Sequence, residues 1–281
     1  MDDLKQLVAD TRRWIGQERV WDDMFYADGA TRHEQRAAGE PSKAVNPLSA
    51  AHSPLRRSGV PEALQSLYET YKDCTRCPLG FTRIKIVFGV GSPDAEVLFI
   101  GEGPGYEEDR RGEPFVGKAG QLLDKMMAAI GLSRKTNAYI ANIVKCHPMA
   151  NPQTPEARGN DRPPSPEEVE TCSPILLQQI AILQPRVIMT LGSPSTKMIL
   201  HTKDGITGLR GKLFPFDVEH FYPETLVEEP KTVKINPETR EVLKRAQVLP
   251  TYHPAALLRN PNLKPESWTD LKLLRDVLAN K

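Results

Sequence analysis

Residues 96–105 read EVLFIGEGPG, a short apolar run that ends in a glycine-rich turn. An apolar run of this length with turn residues after it is typical of a strand buried on both faces. The three glycines after the run let the backbone approach a ligand closely, with Glu102 held among them. The stretch therefore predicts a buried strand that opens into a binding site, although a plain strand-to-helix turn with solvated acids remains the alternative.

Similar apolar runs alternate with helical patterns along the rest of the chain. The predicted strands are residues 96–100, 138–144, 186–191 and 248–252. The predicted helices are residues 61–72, 120–130, 165–183, 193–200 and 268–278. This alternation predicts an α/β fold, a three-layer α/β/α sandwich with a central, mostly parallel four-stranded sheet.

The first 60 residues have a different character. Residues 4–22 predict a helix, and residues 27–60 are rich in Ala, Gly, Ser and Pro, which favours a flexible linker. We therefore expect an N-terminal helix and linker over 1–60 and one folded domain over 61–281. Two stretches within this domain look like insertions, at about 148–164 and 218–247, and the second predicts a hairpin and a short helix.

Composition limits the class of protein. The 281 residues carry a formal net charge of +1, and 39% of them are hydrophobic. Runs such as Val97–Ile100 are too short to span a bilayer, and the N-terminus lacks the pattern of a secretory signal. We expect a cytoplasmic protein. Because the total charge is balanced, any contact with nucleic acid must come from a local basic surface.

Four cysteines are present: Cys74, Cys77, Cys146 and Cys172. In an intracellular protein, metal binding is a better expectation for them than disulfides. A Cys-x2-Cys pair with two distant cysteines suits either structural zinc or an iron–sulfur cluster, and the spacing leaves both open.

Polar residues follow each predicted strand. Glu102 follows the first strand, Asn142 lies in the second, Ser193 follows the third and His253 follows the fourth. Ligands of parallel α/β sheets bind beyond the carboxyl ends of the strands, so we expect these side chains to meet in one site. Ser193 also begins a helix, where a phosphate is readily bound.

Two further segments suit contact with DNA. Phe115 offers an aromatic face on which a base can stack, a contact worth about 1–3 kcal/mol. Leu257-Leu258-Arg259 places an apolar wedge beside a cation, the combination needed to invade a base stack. The side chains of Phe115, Leu257 and Leu258 are also compatible with a place in the core.

Several motifs agree in order with one known family. They are CTRCPL, GEGPG, EPFVGKAGQLLD, NIVKC, PEEVETC, LRGK and HPAALLR. Over roughly residues 62–281, apart from the two insertions, the chain resembles the family 4, iron–sulfur uracil-DNA glycosylases. Two departures are visible. Tyr106 stands where relatives usually have an acid, and the Cys146-to-Cys172 spacing is longer than usual.

The resemblance implies a role for each matching residue. The catalytic residues would be Glu102, Asn142 and His253. The substrate-binding residues would be Gly103, Gly105, Tyr106, Glu108, Phe115, Asn142 and His253. The DNA-binding residues would be Ser193, Arg210, Leu257 and Arg259, with Leu257 filling the hole left by the flipped base and Leu258 as the other candidate. Cys74, Cys77, Cys146 and Cys172 would hold a [4Fe–4S] cluster.

The implied activity is hydrolysis of the N-glycosidic bond of deoxyuridine in DNA by base flipping, the first step of base excision repair. The implied partner is DNA containing uracil, and we expect a monomer without a membrane contact or a small-molecule cofactor. Release of other deaminated bases stays open.

Two alternatives remain at this point. One is a related branch that crosslinks covalently to the abasic product through a histidine in the loop after the second strand. In this loop the chain has only His147. The other is a non-catalytic DNA-binding module that a metal stabilises, for which Glu102, Asn142 and His253 would be dispensable.

Overall fold

A computed structural model describes residues 59–224 and 233–280. The predicted helix at 4–22 and all but the last two residues of the predicted linker lie outside the described residues, as do residues 225–232 of the second insertion.

A six-stranded sheet forms the centre of the fold. Its strands are β1 (Val90–Gly91), β2 (Val97–Gly101), β3 (Ala138–Asn142), β4 (Val187–Leu191), β5 (Phe214–Pro215) and β6 (Gln247–Thr251). Their spatial order is β1-β3-β2-β4-β6-β5. The four predicted strands form the parallel centre, and β1 and β5 extend it by antiparallel pairing at the two edges. The prediction of four strands was therefore incomplete, because these edge strands are only two residues long.

Eleven α-helices are described. They are α1 (Val60–Tyr71), α2 (Leu79–Thr82), α3 (Tyr106–Arg111), α4 (Lys118–Ala128), α5 (Pro166–Leu183), α6 (Ser193–Leu200), α7 (Ile206–Leu209), α8 (Val218–Phe221), α9 (Pro237–Leu243), α10 (Pro254–Arg259) and α11 (Lys264–Ala279). The start of α5 is a capping box, in which Ser165 Oγ accepts from Glu168 N and the Glu168 carboxylate accepts from Ser165 N. Sheet and helices together confirm the predicted α/β sandwich.

The predicted hairpin of the second insertion is wrong for its described part. Two short helices, α8 and α9, lie there instead. Each begins at a side chain that caps its first turn. Asp217 accepts from His220 N at 3.0 Å, and Asn236 accepts from Thr239 N at 2.7 Å. These local hydrogen bonds favour helical turns over strand pairing.

The sheet register brings the polar residues together. Residues of β2, β3 and β4 are fully buried along their length, which explains their continuous apolar pattern. Gly101 at the end of β2 lies opposite Asn142 at the end of β3, and Leu191 lies opposite Thr251 in the same way. The residues that follow these strands therefore share one edge of the sheet.

None of the helices in the described part of the chain combines the length and the apolar character needed to cross a bilayer.

Candidate active site

A cavity of about 570 Å³ lies beyond the carboxyl ends of the parallel strands. It brings together all the residues expected to touch substrate: Glu102, Gly103, Gly105, Tyr106, Glu108, Phe115, Asn142 and His253. These residues come from four separate segments of the chain, and the first insertion adds a fifth to the wall.

Asn142 is the most constrained polar residue in this cavity. Its side chain is 1% exposed, and its Oδ1 has no hydrogen-bond partner among the described residues. A Cβ on Gly101 would collide with this oxygen and would lie 2.7 Å from the Phe115 ring, so only glycine leaves the space open. A buried acceptor without a donor costs about 1–3 kcal/mol. The cavity therefore suits a ligand that brings an N–H group to Asn142.

Phe115 forms an aromatic side of the cavity. Its backbone adopts the left-handed region, with φ at 54°, which is unfavourable for a residue of this size. Arg134 holds this conformation by donating to Pro114 O at 2.8 Å and to Phe115 O at 2.9 Å. The Phe115 ring lies 5.4 Å from the His253 ring, tilted by 33°. Arg134 was not expected from the sequence, since no motif marks it.

His253 has a defined tautomer. Its Nδ1 accepts from Ala255 N at 3.1 Å, so in the neutral ring the proton is on Nε2. Burial, helped by the charge of Arg259, lowers the His253 pKa to about 4. At neutral pH the ring is therefore an uncharged donor. Gly192, with φ at 89°, lies close behind it, where a Cβ would be 3.0 Å from His253 Cβ.

Glu102 lies directly after β2 and is partly buried in the cavity wall. Burial raises the pKa of its carboxyl group. The backbone is held in register past the strand, because Val144 N donates to Glu102 O at 3.3 Å. This hydrogen bond fixes the backbone of Glu102 beside the end of β3, and its side chain lines the same cavity as His253.

Glu108 was expected to contact substrate and lines the cavity, and its carboxylate oxygens bind backbone groups. They accept from Gly105 N at 3.2 Å, Val116 N at 2.9 Å and Gly117 N at 3.0 Å. Glu108 therefore joins the turn after β2 to the loop that carries Phe115.

The first insertion forms another wall of the cavity and packs against Tyr106 through Arg158. The guanidinium groups of Arg110 and Arg158 lie over this ring, at 4.2 and 4.8 Å from its centroid. Arg158 also pairs with Glu107 at 2.9 Å, and Arg110 pairs with Glu156. The long Cys146-to-Cys172 spacing thus supplies a segment that packs on the residue unusual for the family.

His147 does not line the cavity. Its side chain is 1% exposed, and its Nε2 lies 2.6 Å from Asp161 Oδ1. A nucleophilic histidine in this loop would need to reach the sugar, and His147 is buried away from it.

The expectation for Leu257 is corrected by its burial. Leu257 is fully buried, whereas its neighbour Leu258 is 44% exposed. The two side chains follow each other on α10 and point in different directions, so only Leu258 is available to enter a duplex. Arg259 and the partly buried Ser193 remain at the surface beside the site.

The expectation for Arg210 is corrected by its ion pairs. Its guanidinium pairs with buried Asp270 and with Glu266, and it lies over the Tyr252 ring at 5.5 Å. Asp270 also accepts from Thr251 Oγ1 at 2.7 Å, at the end of β6. Arg210 therefore supports the strand that leads to His253, and its charge is already compensated inside the protein.

The four cysteines are all free thiols. Burial raises the pKa of Cys146 to about 12 and that of Cys172 to about 11, and charges on Cys77 act on both. Arg83 Nη1 donates to Cys146 Sγ at 3.5 Å, and Lys145 N donates to Cys172 Sγ at 3.3 Å. Within the described ranges, no three His, Cys, Asp or Glu side chains converge closely enough to hold a single ion.

Comparison with known proteins agrees with this arrangement. Residues 88–272 match the model of the uracil DNA glycosylase superfamily. The chain is 35% identical to the type-4 uracil-DNA glycosylase of Archaeoglobus fulgidus over 78% of its own length and 96% of the relative. It is 37% identical to the type-4 enzyme of Thermotoga maritima over 71% of its own length and 85% of the relative.

A third relative, the type-4 uracil-DNA glycosylase of Sulfurisphaera tokodaii, is 36% identical over 77% of this chain and 85% of the relative. The resemblance drawn from the motifs is thereby confirmed. The chain belongs to the uracil-DNA glycosylase superfamily, and within it to the type-4 uracil-DNA glycosylases.

Proposed function

We propose that the protein hydrolyses the N-glycosidic bond of deoxyuridine in DNA, the first step of base excision repair. The observation that carries this proposal is the orphaned Oδ1 of Asn142 in a cavity beside an aromatic face. Uracil meets both features, because it is planar and carries an N3–H donor.

Selectivity follows from the same atom. The Asn142 amide accepts from N3–H of uracil and donates to its O4. Cytosine has an acceptor at N3 and a donor at the neighbouring position, so it leaves both ends of the amide unpaired. Sites that depend on such hydrogen bonds discriminate strongly against analogues that lack them.

The chemistry separates charge across the glycosidic bond. Negative charge develops at uracil O2, where the neutral His253 ring donates from Nε2 without losing its proton. Positive charge develops on the sugar, where the Glu102 carboxylate stabilises the cation or orients the attacking water. Groups placed where charge develops lower the barrier more than they stabilise the bound substrate.

The four cysteines suit a [4Fe–4S] cluster. Their thiols lie within electrostatic reach of one another, and N–H donors already face two of the sulfurs. A structural zinc ion requires four ligands at about 2.3 Å from one point. The similarity to the type-4 uracil-DNA glycosylases favours the cluster over zinc. The cluster would supply bonds between the segment before α2, the end of β3 and helix α5.

DNA contact would come from residues at the rim of the cavity. Leu258 replaces Leu257 as the side chain that fills the gap left by the flipped base, and Arg259 and Ser193 bind flanking phosphates. We expect a monomer in the cytoplasm, acting on one nucleotide at a time.

A labelled oligonucleotide with one uracil tests the proposal. Half of each reaction is treated with hot alkali, and half is loaded directly on a denaturing gel. We expect alkali-dependent cleavage at uracil, strongly reduced in Asn142→Ala and Glu102→Gln and unchanged in the exposed control Glu113→Gln. A protein–DNA band that survives denaturant would indicate a covalent product instead. Intact DNA, or full activity in both site variants, would contradict the proposal.

A further inference from the structure

A second groove, of about 700 Å³, begins at the catalytic cavity and runs away from it. Glu102, Pro163 and Pro164 are walls of both spaces. Its volume lies in the range of roughly 300–1,000 Å³ that is usual for small-ligand sites. Apart from Glu102, none of the residues given a role in catalysis or DNA contact lines this groove.

Two helices form its sides. Helix α6 presents Pro194, Lys197 and Met198, and His201 follows directly after its last residue. The four residues recur at the spacing of one helix face. Helix α5 presents a second face, which includes Val169 and Glu170. The wall on the α6 side therefore carries a cation, and the wall on the α5 side carries an acid.

An aromatic cluster closes the far end. The His201 and His220 ring centroids lie 3.4 Å apart with the ring planes tilted by 42°, and the Phe221 ring lies 4.6 Å from that of His201. Both histidines are exposed. Burial and the neighbouring His220 lower the pKa of His201, so its ring is uncharged at neutral pH. A pair of exposed imidazole rings is a platform on which a nucleobase can stack.

We propose that this groove binds the nucleotide adjacent to the flipped uridine, as unpaired DNA, with its base against His201 and His220 and its phosphate beside Lys197. The inference rests on the proposed function and adds to it a preference for single-stranded or opened DNA next to uracil. The inference rests on the continuity between the groove and the catalytic cavity, which share Glu102, Pro163 and Pro164. The strand that leaves the uridine sugar beside Glu102 enters the groove directly, and a base inside the groove is turned away from its complement.

Short single-stranded substrates test this proposal. The minimal substrate is deoxyuridine with a phosphate on each side, and it is extended by one nucleotide on the 5′ or the 3′ side. A parallel set carries an abasic analogue at the added position. We expect one extension to raise kcat/KM about 10-fold or more through base stacking, and the abasic extension to lose most of this gain.

Variants assign the gain to the groove. The ratio of kcat/KM between extended and minimal substrates should fall towards one in the double variant His201→Ala/His220→Ala. In Lys197→Ala this ratio should fall less. The fall should be the same for the extension that carries a base and for the abasic extension. Lys244→Ala, which removes an exposed lysine outside both spaces, should keep the wild-type ratio.

Two failures are distinguishable. If no substrate is cleaved, the proposed function is wrong, and fluorescence anisotropy with the same oligonucleotides still decides whether the extension adds affinity through the histidines. If uracil is released at equal kcat/KM from minimal, extended and abasic substrates, the groove does not bind a nucleotide. A gain that persists in the double histidine variant would overturn the proposal in the same way.

Discussion

Burial acts on Glu102 and His253 in the same sense, since it favours the uncharged form of each. It raises the pKa of the Glu102 carboxyl group and lowers that of His253 to about 4. In the proposed mechanism the uncharged form of His253 is the useful one, because it would donate to uracil O2. The same mechanism needs the charged form of Glu102, so its raised pKa would limit the enzyme in acid.

We expect the single-turnover rate to fall as pH decreases, with a midpoint above 4.5, the ordinary value of a glutamate. Protonation removes the charge that stabilises the sugar cation. Glu102→Gln should lower the rate at neutral pH about 100-fold or more and abolish this acid limb. Rates between pH 4 and 8 measure both effects. A limb that persists unchanged in Glu102→Gln would belong to another group.

Leu257 and Leu258 should separate stability from activity. Leu257→Ala leaves a cavity in the core and should lower the free energy of unfolding by about 2–5 kcal/mol. Leu258→Ala should leave stability nearly unchanged, because the side chain is 44% exposed. It should slow uracil release from duplex DNA more than from single strands, where no gap needs filling. Equal losses on the two substrates would argue against a wedge.

The proposed catalytic residues could be picked out in the sequence because each lies at or just after the end of an apolar strand and stands in a distinct motif. Their supports were not recognisable. Arg134 holds Phe115 through backbone oxygens, and Arg210 serves Asp270 rather than DNA. Such roles depend on which distant segments of the chain pack together, and the spacing of motifs carries no information about that packing. Adjacent Leu257 and Leu258 were equivalent in the sequence for the same reason.

At the scale of the elements, the Glu108 carboxylate binds two loops, the turn after β2 and the loop that carries Phe115. Glu108 in α3 accepts from backbone groups on both sides of the cavity, so the turn after β2 and the Phe115 loop move together. These hydrogen bonds from the partly buried Glu108 keep the aromatic face at a constant distance from the strand end.

Glu108→Ala should lower the free energy of unfolding by about 3 kcal/mol, since it removes charge-assisted hydrogen bonds. It should also slow uracil release, because Phe115 loses its position. Glu107→Ala, next in sequence, loses only a surface pair with Arg158 and should cost about 1 kcal/mol or less. Denaturant unfolding and single-turnover rates check both variants. Equal effects in the two would contradict this role of Glu108.

The parallel strands were predictable because a strand buried on both faces reads as an uninterrupted apolar run. The edge strands β1 and β5 were not, since two residues carry no period and their pairing is imposed by neighbours. The hairpin predicted in the second insertion was replaced by helices, since the caps Asp217 and Asn236 act within four residues of chain.

Across the whole molecule, the cysteines join parts of the chain that are far apart in sequence. Cys74 and Cys77 lie between α1 and α2, Cys146 follows β3, and Cys172 lies within α5. A group bound by all four would connect three elements on one side of the sheet, and its loss would destabilise each of them.

Cys74→Ala should yield protein without the brown colour of an iron–sulfur cluster and with a lower Tm. The exposed neighbour Thr75→Ala is the matched control and should keep both. Iron content, visible absorbance and thermal unfolding after anaerobic purification measure the outcome. A colourless wild-type protein that contains zinc would reject the cluster.

The unpaired oxygen of Asn142 has a consequence after the bond is cut. Released uracil keeps the N3–H that this oxygen lacks, so the product satisfies the same buried acceptor as the substrate. We therefore expect the free base to compete with substrate for this acceptor, so that added uracil slows the reaction. Turnover in a cell that is repairing many lesions would be set by how fast uracil is cleared.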